Sequence, residues 1–590
     1  VIDLGNLRDI DRLYGAIDGS REAMRPFRDV RIEMLNQFVG SWYNTEGAKN
    51  GVIVNLLNLT AETYTIGLVA SNPRVRVTTP FRQFWPFAYR WQQSLDNFIK
   101  EVHFSETLQD IVLDAMFSMG IAKVFQGPWR SVQLEGDVWA DPGRPYLGRI
   151  SPDDFGLDMG VKDVRRCRFM WDEYRVSWKT VKTHPDYDKS VVAQLSPDSK
   201  WARSDETAND ISTGSLVDDD EYEPMIDLMD VWLPELEKVA VFSRHVQTKP
   251  LKVLDAGPEG GPYRILSFLN VPDNVIPLAP LQNLMTLHLL YNRLLHKGKS
   301  QALSQKTNPT YRPSASEDAK RIDDAPDRKW VKVNDPASVG MVSLPGVDQP
   351  TVAFSMAVSD LFSRQAGNLD AMAGLGPQAQ TYGQEKIIAS AVSRKEARMQ
   401  NRVHAFTAAL MGDVGQLMWH DGFLQVPANF EVAPGSGIFA DASWTPEQRE
   451  GDFWQYNFDI IPGSMNYEPA EVKIAKIERA MGQVGQLLPV LQALGGDPQE
   501  FIKQYAELLQ VPELERMFNF NAAPGGDRPG PQGSPGEGMR MPSQTTRNYV
   551  RRNVPTGGTP QSRSMVMQQA FLGGGQVTPQ QGASMMRPAV

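Results

Sequence analysis

IPLAPLQNLMTLHLLYNRLLHKGKSQALSQ, residues 276–305, is the stretch on which the fold turns. Past Pro277 and Pro280, which a helix tolerates in its first turn, Leu281, Leu284, Met285, Leu287, His288, Tyr291, Leu294 and Leu295 recur at helical spacing. This predicts one apolar helix face from about Ala279 to Ser304, roughly 39 Å long at 1.5 Å per residue. Asn308-Pro309 ends it, and an excursion over 310–350 follows. The excursion reads as a short helix near Ser316 to Arg321 with strand-like pieces at Trp330 to Val333 and Met341 to Leu344. Thr351 to Met372 returns as a second helix striped by Phe354, Val358, Leu361 and Phe362. A Gly/Gln loop over 374–383 leads into a long helix, Gln384 to His420, with a core stripe of Ile388, Val392, Met399, Val403, Phe406, Leu410 and Leu417.

The N-terminal side is helical by the same criterion, with helices over Asn6 to Asp18, Ser20 to Gly40 and Asn55 to Ala70. Ser71-Asn72-Pro73 stops the third, and Val75, Val77 and Thr79 alternate as a strand does. Phe81 to Glu101 is an aromatic-rich helix, and another opens at Ser105 and is ended by Gly120. Short strands and turns occupy 121–270, with strands expected at 121–125, 138–139, 149–150, 168–175, 228–233, 239–242 and 265–269. The acidic run Asp218-Asp219-Asp220-Glu221 lacks the alternating spacing of a calcium loop and reads as solvated surface. Phe453 to Ile461 alternates as a strand. A helical hairpin follows, with its first seam from Val472 to Leu491 and its second helix opened by Asp497-Pro498-Gln499-Glu500. From Ala523 onward Gly, Pro, Gln, Ser and Met dominate, and from Pro524 seven arginines face only Asp527 and Glu537. Such a composition buries too little apolar surface to offset chain entropy, so a flexible basic tail is expected. Together these elements predict an α+β chain, predominantly helical.

With 41% apolar and 22% charged residues over 590 positions, the chain is of ordinary globular composition and long enough for several lobes. No apolar run reaches membrane-spanning length, so no membrane partner is expected. The start Val1-Ile2-Asp3-Leu4-Gly5 lacks the pattern of a secretory signal, and the missing initiator Met points to a trimmed or processed chain. One cysteine, Cys167, excludes an internal disulfide framework and suits a reducing compartment. The net charge of −10 argues against a protein that grips nucleic acid tightly, because phosphate neutralisation by Lys and Arg supplies most of that affinity.

A search for chemistry yields little. Gly298-Lys299-Ser300 lacks the Gly that a phosphate loop needs five residues earlier, where Arg293 stands. Gly257 to Pro262 reads as a hairpin turn, and Asp153-Asp154 after Ser151-Pro152 as a turn. His288 and His296 lie eight apart, without an HExxH pattern or a neighbouring Cys; His288 sits on the apolar stripe as a core or interface residue. No catalytic, cofactor-binding or metal-ligating residues are expected. Two basic features remain. Arg394, Arg398 and Arg402, with Lys395 adjacent, share a helix face; this is either a solvated face paired with Glu385 and Glu396, or a subunit contact or DNA-facing strip. The excursion carries Lys306, Arg312, Lys320, Arg321, Arg328, Lys329 and Lys332 among five acids, a mixture suited to a protein–protein contact.

The order of these features resembles a portal protein, the head–tail connector of tailed double-stranded DNA bacteriophages. The resemblance rests on Ala70-Ser71-Asn72-Pro73-Arg74-Val75-Arg76-Val77 closing a helical region, on Asp114-Ala115-Met116 to Gly120 leading into strand 121–125, and on Ile150-Ser151-Pro152-Asp153-Asp154-Phe155. The helix–excursion–helix–loop–helix of 276–422 completes it, and the likeness covers about residues 1–520. It implies a wing of 1–275 and 384–467, a stem of 276–305 and 351–372, a clip of 306–350, a channel loop of 373–383, a crown of 468–520 and a tail of 521–590. It further implies a homo-oligomeric ring of twelve at a capsid vertex of the virion, made in the host cytoplasm, through which double-stranded DNA is packaged and ejected. Gln378, Gln380, Thr381 and Gln384 would border the channel, and the clip residues would meet terminase and later adaptor and tail proteins. Major capsid and scaffold proteins would be further partners. Another viral structural or minor capsid protein is the alternative expectation, and a nucleic-acid-processing enzyme a more remote one.

Overall fold

The computed structural model describes residues 3–40, 54–127, 132–133, 139–140, 144–197, 223–244, 249–255, 257–326, 329–344, 346–367, 382–420, 429–431, 439–441, 444–461 and 464–465, all within one compact unit. Its class is mixed α+β. The crown, the tail, nearly all of the Ser204–Glu223 loop and channel-loop residues 373–381 lie outside the described residues.

The chain opens with α1 (Leu7–Val39) and α2 (Leu56–Leu68), then β1 (Val75–Thr78), α3 (Trp85–Glu101) and α4 (Phe104–Phe117). Strands follow: β2 (Gly120–Gly127), β3 (Val132–Gln133), β4 (Trp139–Ala140), β5 (Arg144–Ile150), β6 (Phe155–Leu157) and β7 (Met170–Ser177). Two short helices, α5 (Trp178–Thr183) and α6 (Lys189–Val192), precede β8 (Met225–Leu233), β9 (Lys238–Ser243), β10 (Lys252–Asp255) and β11 (Tyr263–Leu266). Next come α7 (Gln282–Ser304), β12 (Lys306–Tyr311), α8 (Ser316–Asp323), β13 (Val339–Leu344), α9 (Gln349–Ala366) and α10 (Tyr382–His420). Strands β14 (Asn429–Glu431), β15 (Phe439–Asp441) and β16 (Asn457–Ile460) complete the described part.

Every strand pair is antiparallel. The larger sheets run β10-β9-β8-β7-β6 and β11-β2-β5, and β1 pairs with β16 in the register Val75↔Ile460. Around this ribbon stands an aromatic cage. Trp91 of α3 stacks on Trp419 of α10 at 5.0 Å, edge-on contacts to Trp444, Tyr456 and Phe458 surround it, and the Trp444 indole N–H donates to Ser94 at 3.0 Å. One core therefore draws on residues from Met34 to Met465.

Several expectations need correction. The two N-terminal helices are one: Ile10, Leu13, Tyr14, Ile17, Met24 and Ile32 are buried along it, and this burial outweighs the poor propensity of Gly15, Gly19 and Pro26. Gly120 does not end α4 but starts β2, where a Cβ would stand 2.2 Å from the Ile111 carbonyl oxygen. The first long helix starts at Gln282: just before it Leu278 is held by a β-bridge to Leu269, and Leu281, its N-cap, donates its N–H to the Met116 carbonyl. No strand forms at 330–333; β13 pairs instead with β12, Pro309 facing Met341, a ribbon position where a missing N–H is tolerated. The returning helix begins at Gln349, and Gly367, at φ +105°, ends it after Ala366, short of Met372. Phe453–Gln455 is a single tight turn, so only 457–460 of the expected 453–461 strand is extended.

Candidate functional site

Helices α7 and α9 lie antiparallel: the Lys297 ammonium meets Thr351 Oγ1 at 3.1 Å at one end, and the Gln365 amide donates to the Asn283 carbonyl at 3.0 Å at the other. Asp348 caps α9, accepting from Thr351 N at 3.2 Å and Thr351 Oγ1 at 2.8 Å. Hydrogen bonds from Thr351 and Gln301 hold its carboxyl below the usual range. At the inner end Leu284, Met285, Phe362 and Ala366 join the main core. His288 is fully buried there, beside Asn292 at 3.2 Å, and burial pushes its pKa down to about 4, so it is a neutral core residue. Farther out the hairpin parts from the main core, although Val358 and Thr351 of α9 stay buried. Among the described residues, none between Leu290 and Leu361 belongs to any of the hydrophobic clusters.

Beyond the hairpin, the module of β12, α8 and β13 buries only Ala315, Asp318 and Ser338 among its described residues. Asp318 organises it, accepting from Asn334 N at 2.9 Å and Asn334 Nδ2 at 3.3 Å. The apolar side chains face outward instead: Trp330 is 99% exposed, Met341 75%, and Tyr311, Ile322 and Val342 are exposed as well. The hairpin repeats this, with Phe354 53%, Met356 63%, Leu361 52% and Leu303 71% exposed. Large exposed apolar side chains that form a contiguous patch mark interaction sites.

Lys306, Arg312, Lys320, Arg321, Lys329 and Lys332 are all exposed on this module, Arg321 within 3.8 Å of both Glu317 and Asp318; Arg328 lies outside the described residues. The basic strip of α10 is divided in use. Lys395 donates to the Ala366 and Gln365 carbonyls at 3.1 and 3.4 Å. Arg402 donates to the Ser267 carbonyl at 2.7 Å and to Asn270 at 3.3 Å. Arg398 is exposed, and the Arg394 side chain lies outside the described residues. Gln378, Gln380 and Thr381 also lie outside them, as does the side chain of Gln384 on α10.

No family model matches the chain, and no curated protein matches it.

Three buried ionic clusters, none of them singled out from the sequence, fix the frame that carries the hairpin. Lys123 of β2 sits 2.7 Å from both Asp172 and Asp230, bridging the two larger sheets; Tyr263 donates to Asp172 and Tyr174 to Asp230. Burial alone would lower the Lys123 pKa, but the two carboxylates raise it, while burial raises that of Asp172. Arg149 grips Asp114 at 2.6 and 3.0 Å, and Arg31 reaches Asp153 at 2.8 Å, so the Asp153 turn is a buried anchor. Arg264 of β11 holds Asp413 of α10 through two 2.6 Å bonds. The one available signal was Lys123 inside the apolar run Ile121-Ala122-Lys123-Val124. Among the described residues no group of His, Cys, Asp and Glu could hold a metal, and no helix is long and apolar enough to cross a membrane.

Proposed function

We propose that the chain is a portal subunit, closing with identical copies into a ring, with twelve the expected number, at a capsid vertex of the virion. Double-stranded DNA passes through the ring during packaging and ejection. One observation carries this reading: the hairpin of α7 and α9, with the module at its tip, leaves the core of its own chain while bearing apolar side chains outward. A monomer gains nothing from exposing Phe354, Leu361 and Trp330, whereas neighbours packed side by side bury them. The tip would then present its mixed charges to terminase, and afterwards to adaptor and tail proteins. Major capsid and scaffold proteins are further partners on this reading. The net charge of −10 per copy supports the same reading, since a conduit must let a polyanion slide without a deep binding well.

Electron microscopy and mass measurement of the purified protein test the proposal. Closed rings with a central hole are expected, together with weak, salt-sensitive affinity for duplex DNA. A protein that stays monomeric at every concentration and ionic strength, or holds duplex tightly at physiological salt, refutes it.

A further inference from the structure

The last turn of α9 is held by donors from two distant helices. The Tyr64 hydroxyl of α2 donates to the Ala366 carbonyl, and the Lys395 ammonium of α10 donates to the same oxygen at 3.1 Å. Lys395 also reaches the Gln365 carbonyl at 3.4 Å and lies 5.4 Å over the Tyr64 ring. Ala366 is fully buried and Tyr64 only 3% exposed. Gly367 follows at φ +105°, and a Cβ there would stand 2.6 Å from the Tyr64 hydroxyl. A cation at a helix C-terminus is also favoured by the helix dipole. The described part of this segment stops at Gly367, ahead of the span assigned to the channel loop, 373–383.

We infer that Tyr64 and Lys395 form a two-donor latch that fixes the C-terminal end of α9, the described point nearest the assigned channel loop, and that they are positioning residues for DNA passage. This rests on the portal reading above. The shared acceptor gives the latch a diagnostic property. Losing one donor leaves the buried carbonyl satisfied by the other, whereas losing both strands it. The effects of the two substitutions are therefore more than additive.

The test compares Tyr64→Phe, Lys395→Met and the double variant with the wild type by hydrogen–deuterium exchange of peptides covering 360–367, beside thermal midpoints, ring yield and DNA packaging. Each single change is expected to speed exchange there about fivefold, and the double change more than about a hundredfold. Ring yield should hold, packaging should fall in the double variant, and the double variant built with Lys395→Arg in place of Lys395→Met, which keeps a donor, should restore both exchange and packaging. Multiplicative effects, unchanged exchange, a loss of protection spread over the whole chain, or normal packaging despite fast local exchange each overturn the latch. The portal reading fails separately: a chain that never forms rings can still show the local exchange pattern.

Discussion

On the portal reading, replacing Phe354 and Leu361 with serine should take the proposed ring apart while leaving the subunit folded. The two residues are seven apart on α9, hence on one face, and 53% and 52% of their surface is open in the single chain. Full burial of such side chains is worth about 1.5–3 kcal/mol each, so assembly can still gain about half of that from each residue. The double change therefore removes about 2 kcal/mol from every contact between neighbours, a weakening of roughly 30-fold. Because each closed ring repeats the contact at every subunit, the population of rings falls far more steeply than a single pairwise constant. Neither residue belongs to a hydrophobic cluster, so the thermal midpoint of the isolated chain should move little. Mass photometry over a concentration series, paired with thermal unfolding, reads both quantities. Rings of undiminished stability, or a chain that unfolds outright, would refute the reasoning.

Lys123→Met should cost about 3–5 kcal/mol at pH 7, because it leaves two buried carboxylates facing each other. Burial raises the Asp172 pKa above the usual carboxylate value, and a carboxyl shifted that way adds stability below its unfolded pKa and loses it as pH rises, so this variant should regain stability as pH falls toward about 4; unfolding scans that show parallel pH profiles count against the cluster. His288 carries the opposite sign of risk: with a folded pKa near 4, its neutral form adds stability above about pH 6.5 that is lost as pH falls toward 4. His288→Leu should flatten that acid limb in the same scans. Gly120→Ala should destabilise by about 1–3 kcal/mol through the Ile111 clash, measured by denaturant midpoint, whereas Gly148→Ala, which meets nothing within 4 Å, serves as the neutral comparison.

Elements with a one-sided apolar pattern were legible in the sequence. Val75 and Val77 marked β1, and the stripes of α7 and α10 marked the long helices, because each buries one face. The break expected near Gly19 was wrong because tertiary burial of Ile17 and Met24 overrides local propensity. Strand β12 was hidden by Asn308-Pro309, which end a helix and can equally begin a ribbon. The division of labour along the α10 strip could not be read from spacing. The carbonyls that Lys395 and Arg402 engage come from Ala366 and Ser267, 29 and 135 residues away, and only the folded chain brings them together. The exposure of Phe354 and Leu361 was equally invisible, since in sequence an exposed stripe looks the same as one that packs at home.

The pairing of β1 with β16 has a consequence for how the polypeptide is made. Val75 emerges from the ribosome long before its partner Ile460, and at about 5–20 residues per second the wait is roughly 20–75 seconds. Until residue 419 is made, which takes most of that interval, Trp91 lacks Trp419, Trp444 and Tyr456, so the nascent N-terminal half carries an unfinished aromatic socket. The sticky hairpin is translated inside the same interval, ahead of the segment that closes the socket. A holding chaperone that covers this window would favour correct closure of the socket.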